Sequence, residues 1–221
     1  MNDSPSDPAA AKAALRKQAG ARRAGLVAED PDAAARLAAQ SDIIADMACR
    51  NDRPADGRAA DDRIFDGRAA IVAAYMPIRS ELSPLPLVER LAARGIVTAM
   101  PETPAPGNAL VFRRWAPGDD LVDGPYGTSQ PSTGAPVVVP TVILAPMLAF
   151  DPACWRLGYG GGFYDRTLAG LRDDGHAVTA IGIAFDGQLV DKVPVGPFDV
   201  PLDAVLTPSG LRPAQAGDLS P

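Results

Sequence analysis

Short apolar runs separated by helix-like segments decide what class of fold this chain can adopt. Residues 69–76 are apolar throughout and stop at Pro77, as a strand buried on both faces does. Residues 96–100 before Pro101, 109–115, 141–145, 178–185 and 204–207 are the other strand candidates. Between them lie helix signals. Asp7-Pro8 opens a helix running to about Arg23, with Asp as cap and Pro in the first turn. Residues 33–49 read as a second helix with Ile43, Ile44 and Met47 on its apolar side. Ser83-Pro84 opens another that Gly95 ends, and residues 161–172 enter one more. Strands alternating with helices mean an α/β sandwich around a mostly parallel sheet. At 221 residues the chain suits one domain. That domain is expected over 1–207, with 51–68 as a surface-loop insertion, 122–140 as a further loop and 208–221 as a C-terminal tail.

Charge and rare residues remove several function classes. The formal net charge is −6, so a general nucleic-acid surface is not expected. An anionic ligand must instead be held by a local basic cluster. His176 is the sole histidine, which argues strongly against His-based triads and zinc sites of the usual histidine type. Cys49 and Cys154 make no disulfide framework, so a reducing compartment is expected. The first residues show no basic stretch followed by an apolar run. The most apolar stretch, 136–150, is too short to span a bilayer and is broken by three prolines. The expectation is a cytoplasmic chain with no membrane or nucleic-acid partner.

The chemistry concentrates in Arg156-Leu157-Gly158-Tyr159-Gly160-Gly161-Gly162-Phe163-Tyr164-Asp165-Arg166. Four glycines in five positions leave backbone N–H groups unshielded and allow close approach to a ligand. A helix beginning just after them turns its positive end toward an anion. Arg156 and Arg166 flank the loop with fork-shaped donors, and Asp165 is placed to carry Mg²⁺. The segment is neither a Walker loop, lacking Gly-Lys-Ser/Thr, nor a dinucleotide fingerprint, since Phe163 replaces its third glycine. A glycine cluster alone also suits a plain turn; the surrounding arginines, aspartate and aromatics favour ligand binding.

The remaining candidates are weaker singly. Lys12 and Arg16 share a helix face and could hold a triphosphate, or form a solvated face. Glu81 follows a strand end, where open α/β sheets place ligands, and could pair with the N–H groups of a pterin edge. It is otherwise a charge near a helix start. Asp199 or Asp203 could complete a metal site with Asp165, or make turn contacts. Trp115 and Trp155 could stack on a flat heterocycle, or pack.

In this order the pieces resemble the 5-formyltetrahydrofolate cyclo-ligase family. The matching strings are Lys12-x-x-x-Arg16, residues 75–81, Leu148-Ala149-Phe150-Asp151, RLGYGGGFYDR at 156–166, Gly182-x-Ala184-Phe185 and Asp199-x-x-x-Asp203 before Thr207. The glycine segment is the specific one. The resemblance implies a three-layer sandwich and an ATP- and Mg²⁺-dependent ring closure of 5-formyltetrahydrofolate, with or without a polyglutamate tail, by a monomer. It implies ATP contacts from Lys12, Arg16, Arg156, Leu157, Gly158, Tyr159, Gly160, Gly161, Gly162, Phe163 and Tyr164. Lys12, Arg156 and Tyr164 would act in catalysis. Met76, Glu81 and Trp115, with Tyr159 to Phe163, would contact folate, and Asp165 with Asp199 would bind the metal. Gln130, Phe198, Pro208 and Cys154 stand where Glu, His, Glu and Gly are usual in the family. They keep two alternatives open: a related ATP-dependent ligase for another substrate, and a non-catalytic folate- or nucleotide-binding protein.

Overall fold

The computed structural model describes residues 8–51 and 70–215. The Asp7 cap and the insertion after Asn51 fall outside those residues. In chain order the elements are α1 (Pro8–Glu29), α2 (Ala33–Ala38), α3 (Ser41–Asn51), β1 (Ile71–Ala73), α4 (Leu85–Ala93), β2 (Val97–Glu102) and β3 (Val111–Arg114). There follow β4 (Val122–Asp123), β5 (Ser129–Gln130), β6 (Val142–Pro146), β7 (Ala149–Phe150) and β8 (Arg156–Leu157). Last come α5 (Phe163–Asp173), β9 (Thr179–Ile183), β10 (Ala204–Thr207) and β11 (Gly210–Pro213).

Seven strands form the main sheet in the order β11-β10-β9-β6-β1-β2-β3. The five inner strands are parallel, with Val72 opposite both Thr98 and Val142, and Leu144 opposite Ile181. The edges β3 and β11 run antiparallel to their neighbours. Side chains alternate across the sheet as the period of two requires. Val72, Val142, Leu144, Ile181 and Leu206 pack against Leu37, Ile44, Leu87 and Leu91 of α2, α3 and α4. Ile71, Ala73, Ile143, Ala145 and Val205 face the other way, toward Leu168 of α5 and Phe112. The result is the expected three-layer sandwich. A third apolar cluster seats Ala19 of α1 on Leu148, Ala149, Leu157 and Val193, beyond the carboxyl end of β6.

Three expectations need correction. The helix expected over 33–49 is two helices. The chain breaks at Ala39-Gln40, and the Gln40 side-chain amide donates to the Thr207 carbonyl of β10 at 2.8 Å. The break lets Leu37 and Ile44 both reach the same core. The loop at 122–140 contains a two-stranded ribbon, β4 with β5. The tail after Thr207 is not all tail: the chain turns at Pro208-Ser209 and returns as β11, pairing Leu206 with Leu211. Nothing in the composition of 210–213 marks a strand; a neighbouring edge supplies the hydrogen bonds. Among the described residues, no helix is long and apolar enough to cross a membrane.

Asp186 fastens that last turn. Its carboxylate accepts from the Thr207 and Ser209 hydroxyls, both at 2.8 Å, and from Arg212 at 3.1 Å. Partial burial pushes its pKa upward, but the two hydroxyls and the guanidinium outweigh that and hold it below the ordinary carboxylate value. A depressed pKa in the folded state stabilises above the unfolded pKa, and the stabilisation disappears as pH falls. Asp186→Asn is therefore expected to cost about 1 kcal/mol near neutral pH, measured by urea titration. The gap to the parent protein should close as pH drops below about 4, the unfolded value for Asp.

Candidate active site

The carboxyl ends of the parallel strands carry the loops that build the site, as in other open α/β sheets. From β1 come Met76, Arg79, Ser80 and Glu81; from β6 come Met147 and the β7–β8 hairpin with the glycine loop. Helix α1 lies across them.

The hairpin is set by Asp151, which is 3% exposed. Its carboxylate accepts from the N–H groups of Ala153 and Trp155 at 3.0 and 3.1 Å, and from Val193 N–H at 3.0 Å. The hairpin delivers Arg156 at its end. Arg156 donates to Asp165 Oδ1 and to the Val200 carbonyl, both at 2.7 Å. Asp165 Oδ1 also accepts from Val200 N–H at 3.1 Å. Burial lowers the Arg156 pKa, opposed by Asp165, Tyr164 and Asp199.

Beyond Leu157 the chain leaves the core. Gly160 and Gly162 take φ of +101° and +65°, a region that favours glycine. A methyl at Gly160 would sit 3.2 Å from the Arg16 guanidinium, so the backbone passes close beneath it. Gly162 is the N-cap of α5 and, lacking a side chain, gives the first turn no capping hydrogen bond.

Helix α1 supplies the facing cations. Lys12 pairs with Asp199, which also accepts from Gly196 N–H at 2.6 Å. Arg16 Nε donates to the Gly158 carbonyl at 3.0 Å. Between α1 and the loop lies a cleft of about 420 Å³ lined by Arg16, Lys17, Arg23, Arg79, Ser80 and Tyr159. It is walled by positive charge in a chain that is negative overall.

The structure sorts the expected residues. Lys12, Arg16, Arg156, Gly158, Tyr159, Gly160, Gly161, Gly162, Phe163 and Tyr164 all lie along or around the loop. Leu157 does not reach the cleft; at 1% exposure its side chain anchors the loop in the core. Trp115 is likewise no open stacking face: it sits in the core at 6% exposure and donates its indole N–H to the Asp119 carbonyl. Asp203 is structural, accepting from Ala180 N–H and Arg172. Met76 is half-buried against the core. The Glu81 side chain is 4% exposed and accepts from Ile78 N–H at 3.0 Å. Burial raises its pKa, opposed by the Ile78 N–H, Arg23 and Arg79. The Tyr164 phenol is likewise raised by burial and then by Glu81, with Arg156 opposing.

Asp165 and Asp199 both face Arg156, yet each is already paired, with Arg156 and Lys12 respectively. Among the described residues no three His, Cys, Asp or Glu side chains converge as a metal cage. Two carboxylates beside a phosphate cradle fit the manner in which Mg²⁺ shares its shell between protein and phosphate oxygens.

Sequence reasoning missed three side chains. Arg23 is 1% exposed and central to the site. It lies seven residues after Arg16, on the same helix face, so the spacing was a usable signal. Arg79 holds a non-glycine φ of +54° and stacks 5.3 Å from the Tyr159 ring centroid. Tyr126, at the tip of the β4–β5 ribbon with φ of +63°, is 67% exposed, and its ring centroid lies 6.5 Å from that of Phe163. No sequence signal marks either.

The 5-formyltetrahydrofolate cyclo-ligase family model matches residues 8–208. The chain belongs to that family. It is 37% identical over 143 residues to the 5-formyltetrahydrofolate cyclo-ligase of Escherichia coli K12, covering 62% of this chain and 78% of that one. It is 36% identical over 150 residues to the same-named protein of Mycolicibacterium smegmatis, covering 62% and 73%. Two solved structures titled 5,10-methenyltetrahydrofolate synthetase share the fold. The Mycoplasma pneumoniae one has a TM-score of 0.62 at 22% identity, covering 89% of this chain and 98% of that one. The Aquifex aeolicus one has 0.64 at 24%, covering 93% and 94%. The family reaction is the ATP-dependent cyclisation of 5-formyltetrahydrofolate, so this cyclo-ligase family member is an enzyme of folate chemistry. Family and reaction are those the motifs implied.

The hairpin gives a test of how the loop is held. Asp151→Ala leaves three N–H groups without their acceptor. The expected loss is about 2–4 kcal/mol, read by chemical denaturation. Backbone amide exchange should speed up first across 151–160.

Proposed function

We propose that this cyclo-ligase holds the ATP triphosphate between α1 and the glycine loop and the folate against Met76 and Glu81. The observation that carries the reading is the cation-walled cleft beside the glycine loop and the start of α5, whose cap residue offers no side-chain acceptor. Lys12, Arg16 and Arg156 supply charge, and the N–H groups of Gly158 to Tyr164 supply directional donors. Tyr126 and Phe163, whose rings lie near one another, take the stacking role that Trp115 is too buried to fill.

The chemistry follows from a poor leaving group. The formyl oxygen of the substrate attacks the γ-phosphorus and the bond to the ADP oxygen breaks. N10 then attacks the activated formyl carbon and closes the five-membered ring. The carbon–oxygen bond breaks, phosphate departs, N10 gives up its proton, and the methenyl cation remains. Such a sequence asks the protein to position and neutralise rather than to act as a nucleophile. When bound with the nucleotide, Mg²⁺ would offset phosphate charge, with Asp165 and Asp199 as its protein ligands. Tyr164, held protonated by burial, is a donor toward the transferring phosphoryl group. Cys49 and Cys154 are both free thiols, which suits a reducing, cytoplasmic setting. The reading takes the enzyme to act as a monomer, on folate with or without a polyglutamate tail.

Mixing the protein with 5-formyltetrahydrofolate, ATP and Mg²⁺ is expected to produce the methenyl absorbance band with one ADP per product. Tight folate binding with no ADP release would instead support a non-catalytic binder. Lys12→Met should lower kcat/KM for ATP by about 10²–10³-fold, the usual effect of deleting one charge-stabilising donor. Asp165→Asn should depress turnover far more than folate affinity; equal losses would count against a metal role. Glu81→Gln should raise KM for the folate by about tenfold and leave KM for ATP unchanged, as for loss of one charged hydrogen bond.

A further inference from the structure

Arg23 does more in this molecule than its place in a helix requires. Its side chain is 2% exposed, and every edge of the guanidinium is engaged. Nε donates to the Ser80 hydroxyl at 3.2 Å, and Nη1 donates to the Met147 carbonyl at 2.8 Å. Nη2 donates to the Tyr159 hydroxyl, and the cation also lies 5.5 Å from that ring's centroid. Nη1 stands 3.8 Å from Glu81 Oε1. These partners come from three separate chain segments: the loop after β1, the end of β6 and the glycine loop.

A buried arginine costs several kcal/mol of desolvation unless its donors are satisfied. A purely structural site could be filled more cheaply by an apolar side chain. Lysine could not make the same set of contacts, since its three donors radiate from one nitrogen.

We propose that Arg23 is a positioning residue that sets the folate-side carboxylate Glu81 and the nucleotide-side loop at Tyr159 in fixed relation. It stands at the back of the cleft, and the role assigned to it runs through Glu81 and Tyr159. It acts by holding Glu81 ionised and aimed, and by tethering the loop through Tyr159 and the Met147 carbonyl. The proposal rests on the assignment of Glu81 to the folate pocket. The groups that bear on Glu81 are Arg23 from α1, Arg79 and the Ile78 N–H from its own loop, Tyr75 from the end of β1, and Tyr164 from α5. Burial disfavours the Glu81 carboxylate, and Arg23, buried and 3.8 Å away, opposes this.

The sign of the pH effect follows. Removing Arg23 deletes a cation that favours ionised Glu81, so the Glu81 pKa rises further. The acidic limb of kcat/KM for folate then moves to higher pH.

The test uses Arg23→Lys, Arg23→Met and Glu81→Gln in the full chain, with KM, kcat and pH profiles measured for each substrate. Arg23→Lys keeps the charge and is expected to fold, with KM rising severalfold for both folate and ATP. Arg23→Met should shift the acidic limb of the folate profile to higher pH. In the double variant with Glu81→Gln that limb should vanish. If Glu81→Gln raises the folate KM but Arg23→Lys changes neither KM, and the limb stays in place in Arg23→Met, the positioning role is wrong and Arg23 is packing alone. If Glu81→Gln leaves the folate KM untouched, the folate-pocket assignment itself is wrong, and this proposal goes with it. Should Arg23→Met fail to fold, Arg23→Lys still decides, through the paired change in both KM values.

Discussion

Helix α1 meets the rest of the protein through its cations as much as through its apolar side chains, and the site depends on that docking. A typical surface helix lays an apolar stripe on the core and leaves its charges in water. Here Ala19 and its neighbours give a small apolar footing on the β7–β8 hairpin. Lys12, Arg16 and Arg23 then reach in to Asp199, the Gly158 carbonyl and the Arg23 partners at the strand ends. A single helix thereby spans from the Asp199 turn to the loop after β1. Withdrawing charge from water is costly, so Lys12 is paired with Asp199 and the buried Arg23 has its donors engaged, while the part-buried Arg16 places Nε on the Gly158 carbonyl.

The sheet explains why such an arrangement is stable. Its inner strands are buried on both faces, and two apolar clusters lock α2, α3, α4 and α5 to it. That core needs nothing from the site. Residues at the carboxyl ends are consequently free of packing duties, and Arg79 there adopts a positive φ, as Tyr126 does at the tip of the β4–β5 ribbon. Strain of that kind costs about 1–3 kcal/mol per residue and persists only where the surrounding framework holds it.

Much of this was legible in the sequence, for identifiable reasons. Continuous apolar runs ending in proline gave the parallel strands at β1, β2 and β6, because a strand covered on both faces has no polar alternation to hide it. The glycine segment announced itself because several adjacent glycines have little value as packing. What escaped was set by tertiary partners. β11 forms because β10 offers an edge, and α2 separates from α3 because Gln40 finds the Thr207 carbonyl. Trp115 and Leu157 were placed at the site by type or by neighbourhood in sequence. Their side chains point into the core instead, which strand register decides and motif matching does not.

The ion pairs of the site bear on how a polyanion would be received. Lys12 and Arg156 are each matched by a carboxylate, so the cradle presents ordered cations without a large unbalanced charge. Unpaired, four or five cations in a half-buried cleft would repel one another and splay the glycine loop. Asp165 and Asp199 keep those cations in register, and they do so at the place where phosphate oxygens would compete for the same donors. The aspartates thus order the site by pairing its more buried cations, whereas Arg16 and Lys17 at the cleft wall remain open to solvent and need no carboxylate partner.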